Sequence, residues 1–110
     1  MKKPMKTVIT ATGNNLDATI DSHFGRCAYF IFYDSITKGI EFLPNPNKDM
    51  IDGAGLAAVN LINSRKVEQI ITGELGSKVK PLLDSLKIQV IIYKNKEKNI
   101  QDIITLLNHK

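Results

Sequence analysis

Residues Gln69–Tyr93 read QIITGELGSKVKPLLDSLKIQVIIY, and this stretch decides the fold class. It begins with a short strand pattern, Gln69–Thr72, and ends with the continuously apolar Val90–Tyr93, which is typical of a strand covered on both faces by helices. Between them, four apolar residues recur at the i, i+3, i+4, i+7 spacing of one helical stripe: Val79, Leu82, Leu83 and Leu86. A strand, a helix and a strand in this order predict parallel strands joined by a right-handed crossover.

Two further helices flank this unit, and we expect Ser77 to be the N-cap of the middle helix. Upstream, Gly53-Ala54-Gly55 opens a segment of small and apolar residues, Leu56–Ser64, that fits a largely buried helix. Downstream, the stripe spacing returns, with Asn99 as a candidate cap, at Ile100, Ile103, Ile104 and Leu107. The pattern predicts that both four-residue stripes belong to the core.

The first half of the chain predicts three strands and no helix. Thr7–Thr12 is rich in β-branched residues, and Asn14–Arg26 is a mostly polar loop without periodicity. Ala28–Asp34 and Ile40–Leu43 read as an antiparallel hairpin. The expected fold is α/β, with the order β-β-β-α-β-α-β-α and a mixed five-stranded sheet flanked by three helices.

Length and composition exclude several classes of protein. The 110 residues predict one domain spanning 1–110, and 43% hydrophobic with 24% charged residues is typical of a globular chain rather than a disordered one. The longest apolar run, Cys27–Tyr33, is far shorter than the roughly 20 residues needed to cross a membrane. Met-Lys-Lys-Pro at the start lacks the apolar stretch of a signal peptide, so we expect a cytoplasmic protein.

The net charge of +4 lies in the second half of the chain, where Lys94, Lys96 and Lys98 alternate with other residues. Such a run attracts anions and raises the question of nucleic acid. Apart from Tyr93, however, the aromatic residues needed to stack bases lie between Phe24 and Phe42. A solvated loop is the favoured interpretation, and nucleic acid is not expected as a partner.

The densest group of chemically capable side chains is Asp21–Cys27, which holds His23, Arg26 and the only cysteine, Cys27. Neutral imidazole and thiolate are good ligands for iron-containing centres, and a guanidinium fits an anionic cluster. A metal–sulfur cluster brings its own sulfides and needs only one or two protein bonds, so His23 and Cys27 are candidate ligands. The alternative is a loop histidine and a buried structural cysteine.

Other chemistries are less well supported. The glycine turns Gly53–Gly55 and Gly73–Gly76 could bind an anion at a helix start, but neither has the lysine of a nucleotide-binding loop, and tight packing explains them as well. A hydrolytic dyad, with Cys27 as nucleophile and His23 or His109 as base, is not the favoured interpretation. No nuclease activity is expected, because strand one has no carboxylate to hold Mg²⁺.

Taken in register, three segments resemble the dinitrogenase iron-molybdenum cofactor biosynthesis family: His23-Phe24-Gly25-Arg26, Gly53-Ala54-Gly55 and Ile70-Ile71-Thr72-Gly73-Glu74-x-Gly76. The resemblance runs from about Lys6 to Leu107. It implies a ribonuclease-H-like fold without nuclease activity and a nitrogenase accessory role.

Under this resemblance, the protein is expected to bind or carry an iron–sulfur or iron–molybdenum cluster, or a precursor, during metallocluster assembly, without being an enzyme. The cluster would be cargo bound by His23, with Cys27 as second ligand and Arg26 supplying positive charge. Cluster-assembly or acceptor proteins would be its partners, and no membrane is involved. The alternative is a metal-free regulatory or protein-interaction domain of the same fold.

Overall fold

The computed structural model describes residues 5–108 and contains five strands and three helices. The strands are β1 (Lys6–Ala11), β2 (Tyr29–Asp34), β3 (Ile40–Pro44), β4 (Gln69–Thr72) and β5 (Gln89–Ile92). The helices are α1 (Ala54–Ser64), α2 (Lys80–Ser85) and α3 (Ile100–Asn108). The predicted mixed five-stranded sheet with three helices is confirmed.

The sheet has the spatial order β3-β2-β1-β4-β5. Strands β1, β4 and β5 are parallel, whereas β2 is antiparallel to both β1 and β3. The chain leaves β1 toward β2 and leaves β4 toward β5, so the topology changes direction between the two central parallel strands. Crevices at such a point, beyond the carboxyl ends of the strands, are the usual ligand sites of open α/β sheets.

A separate apolar cluster covers each face of the sheet. Helices α1 and α2 pack on one face through a cluster that includes Val8, Phe30, Ala58, Ile62, Ile70 and Leu83. Helix α3 packs on the other face through Ile9, Ile31, Ile71, Ile100, Ile103 and Ile104. Because successive residues of a strand face opposite sides, the neighbours Val8 and Ile9 serve different clusters.

Helix α1 begins at Ala54, two residues before the predicted start. Gly53 precedes it with φ 81°, a left-handed conformation that a residue with a side chain rarely adopts, and its carbonyl accepts the first helical bond from Ala57. Ala54 and Gly55 are therefore part of the helix, and they lie against Gly25 in the loop before β2.

The prediction for the middle helix is partly wrong. Helix α2 has only six residues and its N-cap is Val79, not Ser77, with Pro81 in the first turn. Leu83 is fully buried, but Leu82 and Leu86 are exposed to 39% and 41%. A six-residue helix presents few side chains to the sheet, so of the predicted stripe only Leu83 is fully buried, and Val79 is half-buried against the same cluster.

The prediction for the last helix is confirmed. The amide of Asp102 donates to Asn99 Oδ1 at 2.8 Å, and the amide of Asn99 donates to Asp102 Oδ2 at 3.1 Å, which is a reciprocal cap. Ile100, Ile103 and Ile104 are buried and Leu107 is half-buried. None of the helices within residues 5–108 is long and apolar enough to cross a membrane.

Candidate functional site

The three sequence segments that stood out as motifs meet at one place in the structure. A Cβ atom added at Gly25 would lie 2.7 Å from the backbone nitrogen of Gly55, in the first turn of α1. A Cβ atom added at Gly73, just after β4, would lie 2.7 Å from Cα of Ser22. These glycines allow the loop before β2 to touch the start of α1 and the end of β4.

Backbone and threonine hydrogen bonds fix the same loop to the carboxyl ends of β1 and β4. The amide of Asp21 donates to the Thr10 carbonyl at 2.9 Å, and the Thr10 hydroxyl donates back to the Asp21 carbonyl at 2.8 Å. The hydroxyl oxygens of Thr10 and Thr72 are 2.8 Å apart in the protein interior. Next along the loop, His23 pairs in parallel with Glu74 through an isolated backbone bridge.

His23 is held by the carboxylate of Asp21. The imidazole Nδ1 lies 3.1 Å from Asp21 Oδ1, and the backbone amide of His23 donates to the same oxygen at 2.9 Å. A carboxylate can only accept, so Nδ1 carries the proton and Nε2 has the free lone pair. The His23 side chain is 70% exposed, and within residues 5–108 its Nε2 has no hydrogen-bond partner.

His23 stands at an open pocket of about 400 Å³. The pocket is bounded by residues 22–26 of the loop, by residues 51–55 at the start of α1, and by the turn at residues 74–76 with Val79. Ala54 and Gly55 of the first helical turn line this pocket, and the first amides of a helix have no partner within the helix. Asp52 and Glu74 also line it and place two carboxylates beside those donors.

Arg26 also lines the pocket, but its guanidinium is occupied with the backbone of the loop after β3. It donates to the carbonyls of Lys48 and Met50 through Nη1, and to that of Ile51 at 3.1 Å through Nη2. No carboxylate of the described residues pairs with it. Its positive charge therefore stays at the edge of the pocket while its hydrogen bonds hold the wall in place.

Cys27 lies in the core, away from the pocket. Its side chain is fully buried and belongs to the cluster under α1 and α2, and Asn45 donates to its carbonyl at 3.0 Å. Burial, with a smaller contribution from the charge of Asp21, raises the pKa of the thiol to about 12. Cys27 as a metal ligand stays a prediction, and this environment keeps the sulfur protonated and distant from a ligand in the pocket.

The site lacks a complete set of ligands for a single ion. Within residues 5–108, no group of three or more His, Cys, Asp or Glu side chains is placed to hold one metal ion. His109, named as an alternative base for a dyad with Cys27, lies outside the described residues. A ligand that needs only one or two bonds from the protein fits this donor set better than a bare cation.

Sequence comparison identifies the family. The sequence profile described as dinitrogenase iron-molybdenum cofactor matches residues 5–110. The chain belongs to the dinitrogenase iron-molybdenum cofactor family. The recognition of this family from the three segments is therefore confirmed, and the match extends over nearly the whole chain. Comparison with curated proteins gives no match.

Solved structures similar to this family member share its fold. The apo form of the orange protein from Desulfovibrio gigas is 25% identical, with a TM-score of 0.84, and the match covers 94% of this chain and 86% of that one. A putative NifB protein from Thermotoga is 24% identical, with a TM-score of 0.78 and the same coverage. A putative dinitrogenase from Methanocaldococcus jannaschii is 18% identical, with a TM-score of 0.68, over 97% and 90% of the two chains.

Sequence reasoning missed three residues of this family member's site. Asp21 is the first, and the Asp-x-His spacing could have indicated a carboxylate that orients the imidazole. Glu74 could be placed beside His23 only through the parallel pairing of two distant segments. Asn45 is buried and donates to the carbonyls of Gly25 and Cys27, both at 3.0 Å; nothing in the sequence distinguishes it from an ordinary turn residue.

Proposed function

We propose that this protein binds and carries a metal–sulfur cluster, an iron–sulfur or iron–molybdenum cofactor or its precursor, during metallocluster assembly, and that it has no turnover of its own. The observation that carries the proposal is the His23–Asp21 pair at the mouth of the pocket. An imidazole whose Nδ1 is held by a carboxylate presents Nε2 with a fixed orientation, as metal-binding histidines do. Family membership supports the same cargo.

The cluster as cargo fits the donor set of the pocket. It brings its own sulfides, so the single exposed imidazole of His23 is enough for one metal–protein bond. The amides at the start of α1 and the positive charge of Arg26 favour binding of the sulfide-rich, anionic part of the cluster. Asp52 and Glu74 oppose an anion at the rim. Glu74, paired with His23 through the backbone, is a second candidate oxygen ligand for the metal side.

Two finer assignments belong to this proposal. The sheet order β3-β2-β1-β4-β5, with an antiparallel hairpin beside three parallel strands, supports the ribonuclease-H-like assignment. We also infer a cytoplasmic site of action with cluster-assembly or acceptor proteins as partners, because metal–sulfur clusters are built and exchanged between proteins. The relative from Desulfovibrio gigas was solved in a form called apo, a term for a protein without its bound group.

The proposal predicts that His23→Ala abolishes most of the cluster affinity without unfolding the protein, because the side chain is 70% exposed. Asp21→Asn should weaken binding by roughly 10- to 100-fold, the usual effect of removing the partner of a ligating histidine. Cys27→Ala should change the affinity much less. The measurement is anaerobic titration with isolated iron–molybdenum cofactor or its iron–sulfur precursor, followed by absorbance and gel filtration.

Acid should weaken binding as well, because protons compete with the metal for the imidazole. Thermal unfolding of each variant controls for loss of fold. If His23→Ala binds as tightly as the parent, the site is wrongly assigned. If the parent binds neither cluster, the metal-free interaction domain becomes the better proposal.

A further inference from the structure

Strand β5 forms an open edge of the sheet. The amide of Gln89 and that of Tyr93, directly after the strand, donate to the carbonyls of Glu68 and Thr72, both at 2.9 Å, on the side of β4. In a parallel sheet, the backbone groups of every second residue hydrogen-bond to the same neighbouring strand. The backbone amides and carbonyls of the intervening Val90 and Ile92 therefore point away from β4, toward the open edge.

The two edges of the sheet differ in how they are protected. Strand β3, at the opposite edge, carries the charged Glu41, which is ion-paired with Arg65, and ends at Pro44. Charges and prolines on an edge strand prevent pairing with other chains. Strand β5 reads Gln-Val-Ile-Ile and has neither a charge nor a proline. Its unpaired backbone groups remain a template for an added strand.

A groove of about 470 Å³ lies beside this edge. Its floor is apolar, formed by Leu75, Val90 and Ile92, and its rim carries Lys80 and Lys94. Helix α2 is too short to cover it, and Ile92 is left 45% exposed. In a strand added along β5, alternate side chains would enter the groove.

The surroundings of β5 carry a strong positive charge. Six exposed lysines lie in α2 and in the turns that flank it and follow β5: Lys78, Lys80, Lys87, Lys94, Lys96 and Lys98. Three acidic residues lie in the same segment, Glu74, Asp84 and Glu97, and Asp84 is engaged by Lys80 at 2.7 Å. Pairing of two β5 edges from two copies would bring these lysines together. The complementary occupant is acidic.

We propose that the open edge of β5 binds an extended acidic segment of a partner protein, which adds to the sheet as a sixth strand and places its apolar side chains on Leu75, Val90 and Ile92. Glu74, Leu75 and Gly76 line both this groove and the pocket at His23. A partner bound here would stand beside the cargo. That this partner donates or accepts the cluster rests on the proposed function, whereas the docking of the partner does not.

The test uses the protein without any cluster and a fluorescein-labelled short peptide of alternating glutamate and valine. Saturable binding is expected by fluorescence anisotropy, weakening as salt rises because exposed charges are screened. Hydrogen exchange should slow at the amides of Val90 and Ile92, which face solvent in the free protein. A peptide with lysine in place of glutamate should not bind.

Two variants with matched controls locate the interaction. Ile92→Pro removes one outward-facing amide without breaking the β4 ladder and should weaken peptide binding by about fivefold or more, as expected for one lost hydrogen bond and the added steric block. Ile92→Val should bind as the parent does. Lys94→Glu should weaken binding, whereas Lys66→Glu, at the other end of the sheet, should not.

The proposal is overturned if the peptide does not bind, if the slowed amides lie on β3, or if a single-stranded oligonucleotide binds more tightly than the acidic peptide and protects the same residues. It is also overturned if Ile92→Pro, shown to be folded by thermal unfolding, binds the peptide as the parent does. Because no cluster is present, these outcomes are independent of the cluster titration.

Discussion

At the scale of single residues, the Asp21 carboxylate is surrounded by hydrogen-bond donors, whereas the Cys27 thiol lies in the apolar core. Asp21 accepts hydrogen bonds from the amides of His23 and Ala28 and from the His23 ring. Its negative charge orients the imidazole, and the same charge disfavours a thiolate at Cys27. One carboxylate thus orients His23, the proposed ligand, and helps to keep Cys27 as an uncharged core residue.

The Cys27 thiol should make stability depend on alkaline pH. Its pKa is about 12 in the folded protein against an ordinary 9.0, so the folded state keeps a proton that the unfolded chain releases. The stabilisation is complete below pH 9.0 and is lost as the pH rises toward about 12. The free energy of unfolding, measured in urea across this range, should therefore fall.

Cys27→Ala is the control for this effect, because every other titratable group is the same in both proteins. The variant should lose stability less steeply than the parent as the pH rises. Equal slopes for the two proteins would contradict the assignment of the raised pKa to Cys27.

At the scale of elements, the contact between the loop before β2 and helix α1 depends on Gly25. In Gly25→Ala, the new methyl group would lie 2.7–2.8 Å from backbone atoms of Ala54 and Gly55, which cannot move without displacing the helix. We expect a loss of about 1–3 kcal/mol in the free energy of unfolding, the usual cost of overpacking. Cluster affinity should fall too, since the pocket wall shifts.

Gly76→Ala is the matched control, because a Cβ atom there has no heavy atom within 4 Å. Denaturant unfolding should show almost no change for this variant. A Gly25→Ala protein as stable as Gly76→Ala would show that the loop and the helix are not in tight contact.

Helix α2 contributes to the core through a single side chain. Leu83→Ala should cost about 2–5 kcal/mol, the range for a buried leucine, since Leu83 is fully buried. The neighbouring Leu82→Ala should cost under about 1 kcal/mol, because this side chain is already substantially exposed. Urea unfolding of both variants measures the difference. Equal costs would mean that the helix presents another face to the sheet.

At the scale of the whole molecule, the candidate site lies where the sheet topology changes direction. The loop after β1 and the turn after β4 meet there through Ser22 and Gly73. Helices α1 and α2 on one face and α3 on the other leave this end of the sheet open to a ligand. The pocket and the β5 groove adjoin each other at this end, so the proposed cargo and the proposed partner segment would lie side by side.

The whole molecule should have no nuclease activity. A two-metal nuclease needs clustered carboxylates, and β1, the central strand, carries none. Incubation of the purified protein with an RNA–DNA hybrid and Mg²⁺ should leave the hybrid intact. The Asp21→Asn variant is the control, since any contaminating nuclease would act equally in both preparations. Cleavage by the parent that disappears in the variant would overturn this expectation.

Much of the architecture could be predicted from the sequence, because the spacing of apolar residues that marks a helix or a strand involves only residues close together in the chain. The strand at Val90–Ile92, the Asn99 cap and the buried stripe of α3 follow from residue spacing, and the structure confirms them. The expectation that helices cover both faces of this strand is wrong, because β5 is an edge strand, α2 is too short to cover it, and Ile92 is 45% exposed. His23 as an exposed polar residue in an ordered loop was also within reach of the sequence, as were the three glycine segments that carried the family resemblance.

Burial and proximity were decided only by the tertiary structure. Periodicity gives the faces of a helix but not its length, so the exposure of Leu82 and Leu86 followed from how soon α2 ends. Cys27 and His23 are four residues apart, yet Cys27 is fully buried in the core and the side chain of His23 is 70% exposed at the pocket. Glu74 reaches His23 through β1–β4 pairing, a contact between residues far apart in sequence that no local pattern encodes.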